Sequence, residues 1–266
     1  MMQIWQVSHT LWNRNEFIEA TIGEQFATMT NHKQGIAYGI GVGPGDPELL
    51  TLKALRLIRE ADVIAVPGEK PAETTAYRIA IQVAPEMANK TLIGLDMPMT
   101  RDREAMTASH REAAKTIEAI LNQGQDVAFL TLGDSSVYST FSYVQEILTA
   151  DGYETRSVSG VPSFCAAAAR LNIPLGEWGE PILILPAAQM LEDHLDAGSL
   201  PKEGTCVLMK SGRYIASVRN TLHTAGMTVR AVENCGMPGE KVYRSAEEIP
   251  DDAGYFTLVV ARPPKL

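Results

Sequence analysis

The sequence predicts an α/β fold of two α/β domains, the first with a mostly parallel sheet and the second with a mixed sheet. Three observations predict it. From Gly35 onward, short apolar runs alternate with amphipathic stretches, the pattern of strand–helix–strand units. Three of the predicted strands run directly into glycine-containing turns. After Pro174 the alternation loosens and turn signals become more frequent. Residues 1–34 are read as an N-terminal extension, 35–162 as the first domain and 163–266 as the second. Pro162 to Pro174 is the passage between them.

Each element has its own signal. Ile36–Val42 reads as a strand, followed by a helix over Pro47–Arg59 with Asp46 as N-cap and Pro47 at the first helical position. Leu52, Leu55 and Ile58 supply the buried stripe of that helix. Val63–Val66 and Leu92–Leu95 are strands. Arg103–Gln123 is a long helix with Met106, Ile117, Ile120 and Leu121 inward and Gly124 in the stop position. Val127–Leu132 is a strand, Val137–Leu148 a helix, Glu154–Val158 a strand and Ser163–Leu171 a helix of small residues. In the second half Pro181–Leu185, Cys206–Met209, Thr228–Val232 and Tyr255–Val260 read as strands. Helices are expected near Met190–Asp196 and over Ile215–His223.

Composition narrows the function. The chain has 266 residues, 45% of them apolar, and carries 23 Lys+Arg against 32 Asp+Glu, for a net charge of −9. It is large enough for a packed core, and its acidic balance argues against broad nucleic-acid binding. Cys165, Cys206 and Cys235 are widely spaced, so neither a disulfide framework nor a zinc knuckle is indicated, and reduced thiols in a cytoplasm are expected. No run reaches the ~18 apolar residues of a membrane span. Met1 to Phe17 has no secretory signal pattern. The extension holds Trp5 and Trp12. It is either a segment upstream of a natural start at Met29 or an arm that packs on a partner subunit.

Three turns carry chemistry. The first is Gly39-Ile-Gly-Val-Gly43-Pro44-Gly45-Asp46-Pro47, between a strand and a helix. Its glycines permit positive φ and close backbone approach, and the helix start offers free N–H groups. The Gly-x-Gly-x-x-Gly spacing fails in every frame, no Gly-Lys pair exists, and the second strand ends Ala65-Val66-Pro67 without the acidic residue expected to bind a ribose. A nicotinamide oxidoreductase and a P-loop enzyme are therefore disfavoured. The second turn is Thr131-Leu-Gly133-Asp134-Ser135-Ser136-Val137-Tyr-Ser-Thr140, where Asp134 either caps a helix or meets a ligand. The third is Ser159-Gly-Val-Pro162-Ser163, which opens a helix whose alanines serve packing or leave room for a large ligand.

Together with Met97-Pro-Met-Thr-Arg101-Asp102 and Ala169-Arg-Leu-Asn-Ile-Pro-Leu175, these turns resemble the tetrapyrrole methylase family of S-adenosylmethionine-dependent enzymes, from about Gly35 to Val260. The Pro-Met-Thr and Tyr-Ser-Thr segments resemble its precorrin-2 and cobalt-precorrin-2 C20-methyltransferase subgroup in cobalamin biosynthesis. Two departures stand out. The family's usual Gly-Asp-Pro reads Gly133-Asp134-Ser135, which is expected to loosen that turn, and Pro162 stands where threonine is frequent.

The resemblance implies a homodimer with S-adenosylmethionine in a cleft between the domains. Pro44, Leu132, Gly133, Asp134, Val137, Pro162, Ser163, Lys210 and Cys235 would contact the cofactor. Gly43, Arg101, Tyr138, Ser139, Thr140 and Arg213 would contact a tetrapyrrole bearing many carboxylates. Lys210 stands where the family places an apolar residue near the adenine. A basic pocket is needed for such a substrate, and Arg101, Arg103, Arg170, Lys210 and Arg213 are near the motifs. Tyr138 and Phe141 either stack on the macrocycle or pack in the core. Asp102 is the favoured general base for removing the C20 proton, with helix N-capping as its other role. No protein-bound metal is expected, because His9, His32, His110, His194 and His223 show no ligand spacing. Methylation at another ring position and a non-catalytic binding subunit are the competing readings.

Overall fold

The protein is represented by a computed structural model that describes residues 34–98, 100, 102–188 and 200–264. The N-terminal extension with Met29, the helix expected near Met190–Asp196, and Arg101 lie outside the described residues.

Residues 37–158 build a five-stranded sheet from β1 (Ala37–Gly41), β2 (Val63–Pro67), β3 (Thr91–Leu95), β4 (Val127–Thr131) and β5 (Thr155–Val158), in the order β3-β2-β4-β1-β5. Every pairing is parallel. A parallel sheet is covered on both faces, so its strands read as unbroken apolar runs. Ile40, Ile64, Val66, Ala128 and Leu130 face one helical layer, and Ala37, Val63, Ala65, Val127 and Phe129 face the other. The first layer holds α1 (Leu52–Glu60) and α2 (Thr75–Ala80). The second holds α3 (Arg103–Leu121) and α4 (Phe141–Ala150).

The second sheet contains β6 (Ile182–Pro186), β7 (Thr205–Met209), β8 (Thr228–Glu233), β9 (Lys241–Tyr243) and β10 (Thr257–Arg262), in the order β6-β7-β10-β8-β9. Only β6 and β7 run parallel, so this sheet is mixed. α5 (Ser163–Leu171) packs on one face through Ala167 and Leu171, against Val207, Val232 and Val260. α6 (Ile215–Thr224) packs on the other through Ile215, Val218 and Leu222. Ala166, Ala167 and Ala168 of α5 are buried and thus serve packing, while Ala169 is exposed.

Local chemistry shifted four expectations. The helix expected over Pro47–Arg59 is broken. Asp46 caps a short 3-10 turn at Pro47–Leu49 by accepting from Glu48 N at 2.9 Å, Leu50 is extended, and Thr51 caps α1 by accepting from Ala54 N at 3.2 Å. A hydroxyl that bonds its own downstream backbone restarts the helix there. Leu52 then falls at the first position of α1 and is 86% exposed, not buried. The helix expected from Val137 begins only at Phe141, because Tyr138 has φ +48. α2 and β9 escaped prediction. Six and three residues are too few to display a period, and α2 also lies between proline-led turns at Pro71–Glu73 and Pro85–Asn89.

The parallel order sets β1 between β4 and β5, so the three turns at their C-terminal ends meet. They meet backbone to backbone. A Cβ on Gly160 would lie 2.1 Å from the Gly133 carbonyl oxygen and 2.7 Å from the Gly41 carbonyl carbon. We expect Gly160→Ala to cost about 3 kcal/mol in urea unfolding, since neither backbone neighbour can rotate away. Gly179→Ala, with open space around it, should stay within about 0.5 kcal/mol.

Candidate active site

Backbone and side-chain hydrogen bonds fuse the three turns. Gly43 and Gly133 exchange both backbone bonds, at 3.1 and 2.8 Å. Asp134 is buried. One of its oxygens accepts from Gly160 N at 2.9 Å, and the other accepts from Ser136 N at 2.8 Å and from the Ser136 hydroxyl at 2.5 Å. The carboxylate therefore holds the third turn against the second. Ser135, where the family has proline, does not loosen the turn as expected. It is 2% exposed and its hydroxyl donates to the Val158 carbonyl at 3.1 Å, tying the loop to β5.

A cleft of about 1110 Å3, its open mouth included, lies between the two sheets. Pro44, Leu132, Gly133, Asp134 and Val137 line it from the first sheet. Pro162 and Ser163 line it at the start of α5, and Lys210 and Cys235 from the second sheet. All nine residues expected to touch the cofactor are thus brought to one space from five separate stretches of sequence. The first turn of α5 also leaves N–H groups there without helical partners.

The residues expected to touch the substrate divide. Tyr138, Ser139 and Thr140 line the cleft. Ser139 is buried, bonded to the Thr131 hydroxyl at 3.1 Å and accepting from Phe141 N at 3.2 Å, so its hydroxyl is occupied. Gly43 adjoins the cleft through its backbone pair with Gly133. Arg213 is exposed on a 3-10 turn at Gly212–Tyr214 and is not among the lining residues. Asp102 is likewise exposed and outside the lining, with Oδ1 accepting from Glu104 N at 2.9 Å and Ala105 N at 3.2 Å. It caps α3, a role the helix start requires. Arg170 pairs with Glu240 and is not among the lining residues. Phe141 is fully buried against Phe129, with ring centroids 5.3 Å apart, and belongs to the core.

Sequence reading missed Tyr255 and Phe256, which it had placed inside a strand. The strand starts at Thr257, and the two rings sit in an edge-to-face pair, half-exposed, on the cleft. The signal was present. Two consecutive large aromatics cannot both face one side of a strand. Met209 and Met237 were missed as well, and no pattern distinguishes them from core residues.

The electrostatics of the cleft are simple. Asp134 is the one carboxylate among the described lining residues, and its oxygens are committed. Among the described residues, Lys210, exposed and with φ +57, is the one lysine or arginine lining it. Burial, with the nearby Glu240 charge adding to it, pushes the Cys235 thiol up to about 11. The thiol is therefore neutral, and its sulfur is no nucleophile. The backbone around Cys235 matters more. A Cβ on Gly45 would lie 2.4 Å from the Cys235 carbonyl oxygen, so the first turn packs directly on the second domain. Glu240 fixes that contact by accepting from Gly236 N at 2.8 Å while pairing with Arg170. Among the described residues no group of His, Cys, Asp or Glu side chains could hold a metal ion, and no helix is long and apolar enough to cross a membrane.

Behind this wall Glu233 ends β8. Burial raises its carboxyl, but the Tyr243 hydroxyl at 2.7 Å, the Gly254 N–H at 3.0 Å and Lys241 outweigh it and hold the group below the usual carboxylate range. A lowered folded-state pKa adds stability above the unfolded value and loses it as pH falls through the folded value. Glu233→Gln should therefore be less stable than the parent at about pH 7, with the gap closing below about pH 4. Thermal unfolding across that range measures it.

The chain matches the family described as Tetrapyrrole (Corrin/Porphyrin) Methylases over residues 37–250, and it belongs to that family. Two relatives are informative. One, a probable cobalt-precorrin-2 C(20)-methyltransferase of Methanocaldococcus jannaschii, is 39% identical over 175 residues, covering 65% of this chain and 71% of the relative. The other, the cobalt-precorrin-2 C(20)-methyltransferase of Salmonella typhimurium, is 29% identical over 236 residues, covering 85% and 95%. A solved cobalt precorrin-4 methyltransferase shares the two-domain fold. It has a TM-score of 0.66 at 20% identity, over 85% of this chain and 94% of that one.

Proposed function

We propose that this chain transfers a methyl group from S-adenosylmethionine to C20 of precorrin-2 or of its cobalt complex. One observation carries the reading. The nine residues that the family pattern assigns to the cofactor, scattered from Pro44 to Cys235, all line a single interdomain cleft. The names of the relatives at 39% and 29% identity point to C20 of cobalt-precorrin-2. The division after Pro162 belongs to the same reading, since α5 leaves the third turn of the first domain and packs on the second sheet. The homodimer rests on the resemblance alone, and the cytoplasm on the three widely spaced cysteines.

The cleft suits the donor. Its surface is mostly apolar, with Pro44, Leu132 and Val137 opposite Met209, Met237 and Leu258. A few fixed backbone groups supply orientation, as in other small-molecule sites. S-adenosylmethionine supplies a methyl on cationic sulfur, and a nucleophilic carbon takes it while the sulfur keeps the bonding pair. The residues of this chain have to hold and align. The Leu132–Val137 loop and the Pro162–Ser163 turn would hold the methionine end, with Lys210 and the Cys235 backbone at the adenine. Rigid placement of the donor against C20 is an effective-concentration gain, and the fused turns provide the rigidity.

C20 must then lose its proton. The described cleft offers no uncommitted carboxylate or imidazole. We assign Asp102 the N-cap role. Asp102→Ala should lower stability by about 1 kcal/mol while kcat stays within about twofold. A hundredfold loss of kcat at unchanged stability would restore Asp102 as the base.

The direct test is an anaerobic assay with methyl-labelled S-adenosylmethionine, offering precorrin-2 and cobalt-precorrin-2 in parallel. Mass and NMR analysis should show one added methyl at C20, and the faster substrate assigns the metal state. Binding of S-adenosylhomocysteine without methylation of either substrate would remove the C20 assignment and leave the family.

A further inference from the structure

Tyr138 combines three features that its neighbours do not share. Its φ is +48, a left-handed backbone that a bulky side chain rarely adopts. Its ring is 52% exposed although it lines the cleft. Its hydroxyl donates to the Ile184 carbonyl on β6 at 3.1 Å. Tyr138 belongs to the loop after β4 in the first domain, and Ile184 to the second sheet. Among the described residues that line the cleft, Tyr138 is the one whose side chain hydrogen-bonds across it.

The loop is built to hold this conformation. On one side Asp134 is locked to Gly160, and Ser136 to Asp134. On the other Ser139 is locked to Thr131 and to the start of α4. A strained residue between two fixed points persists because its surroundings over-determine it, and such strain gathers at functional sites. Here the left-handed turn directs the phenol out of the first domain and onto an edge strand of the second. Among the described residues β6 pairs with β7 alone, on one side, and the Ile184 carbonyl accepts from Tyr138.

We propose that Tyr138 is a positioning residue, a latch across the mouth of the cleft that sets the two domains relative to each other when the tetrapyrrole is in place. This rests on the methyltransferase reading above. The hydroxyl–carbonyl bond is solvent-exposed, so water can replace it at little cost and the mouth can open for a wide macrocycle. Remade, the bond holds β6 at a fixed distance from the loop that carries Gly133 and Val137. The reacting carbon and the donor are then held by one frame rather than two. The cofactor itself contacts the loop and turns behind Tyr138, so its affinity does not depend on the latch.

Two variants test this. Tyr138→Phe keeps the ring and removes the bond. Tyr138→Asn removes the ring but tolerates the left-handed backbone. Both should leave the Kd for S-adenosylhomocysteine within twofold of the parent. Both should lower kcat, Tyr138→Phe by about fivefold, the scale of one net hydrogen bond. Tyr138→Asn should melt no lower than the parent, which separates positioning from a merely structural role. Tyr143→Phe, on α4 and away from the cleft, serves as the control. Independently of turnover, hydrogen exchange of the backbone amides of residues 182–185 should quicken in both variants and not in the control. Unchanged kcat with unchanged exchange in Tyr138→Phe would overturn the latch. So would a kcat loss matched by an equal loss of cofactor affinity. If the parent methylates neither precorrin, the methyltransferase reading fails by itself, while the exchange measurement still decides whether Tyr138 joins the domains.

Discussion

The contact between three backbones, at Gly41, Gly133 and Gly160, is the constraint from which the rest of the structure follows. A Cβ on Gly41 or on Gly160 would collide with the backbone of the other two segments, so the turns are as close as polypeptide allows. Because β1 lies between β4 and β5, the contact closes the ends of three neighbouring strands into one rigid floor. In open α/β sheets, ligands bind beyond the carboxyl ends of the strands. Here that region is prepared by backbone geometry first and by side chains second.

The same principle governs the junction of the two domains. Gly45 packs on the Cys235 carbonyl, and Gly236 lies against the Asp46 amide. Charged groups near the cleft are mostly engaged in holding this frame. Asp134 secures the third turn, Glu240 secures the Cys235–Gly236 turn with Arg170, and Asp102 secures the start of α3. A protein whose chemistry is carried by its donor needs alignment more than it needs acids and bases. This arrangement is consistent with that division of labour. Among the described residues Lys210 stands apart as the lining cation in a chain of net charge −9.

Much of the fold was legible because parallel strands buried on both faces leave unbroken apolar runs. β1, β2, β3, β4 and β5 lie within a residue or two of their expected bounds for that reason. The elements that escaped are short or locally redirected. α2 has too few residues to show a period, and α1 was restarted by the hydroxyl of Thr51. Leu52 and Phe141 show the limit of side-chain reasoning. The apolar residue expected inside is exposed, and the aromatic that might have met a ligand fills the core beside Phe129.

By itself the sequence determined the alternation of elements and the three turns. These follow from local propensity and from glycine, whose conformational range is written into its lack of a side chain. Tertiary structure alone decided which strands are neighbours, and so which turns touch. It also decided which polar groups remain free. Asp102 and Asp134 are both carboxylates near helix starts, yet one caps in solvent while the other is buried as a tie between turns. Ser135 replaced a stiff residue with a hydrogen bond, and Tyr138 was turned outward against its backbone preference to reach Ile184. Each of these depends on a partner far along the chain, and no local pattern encodes where that partner will be.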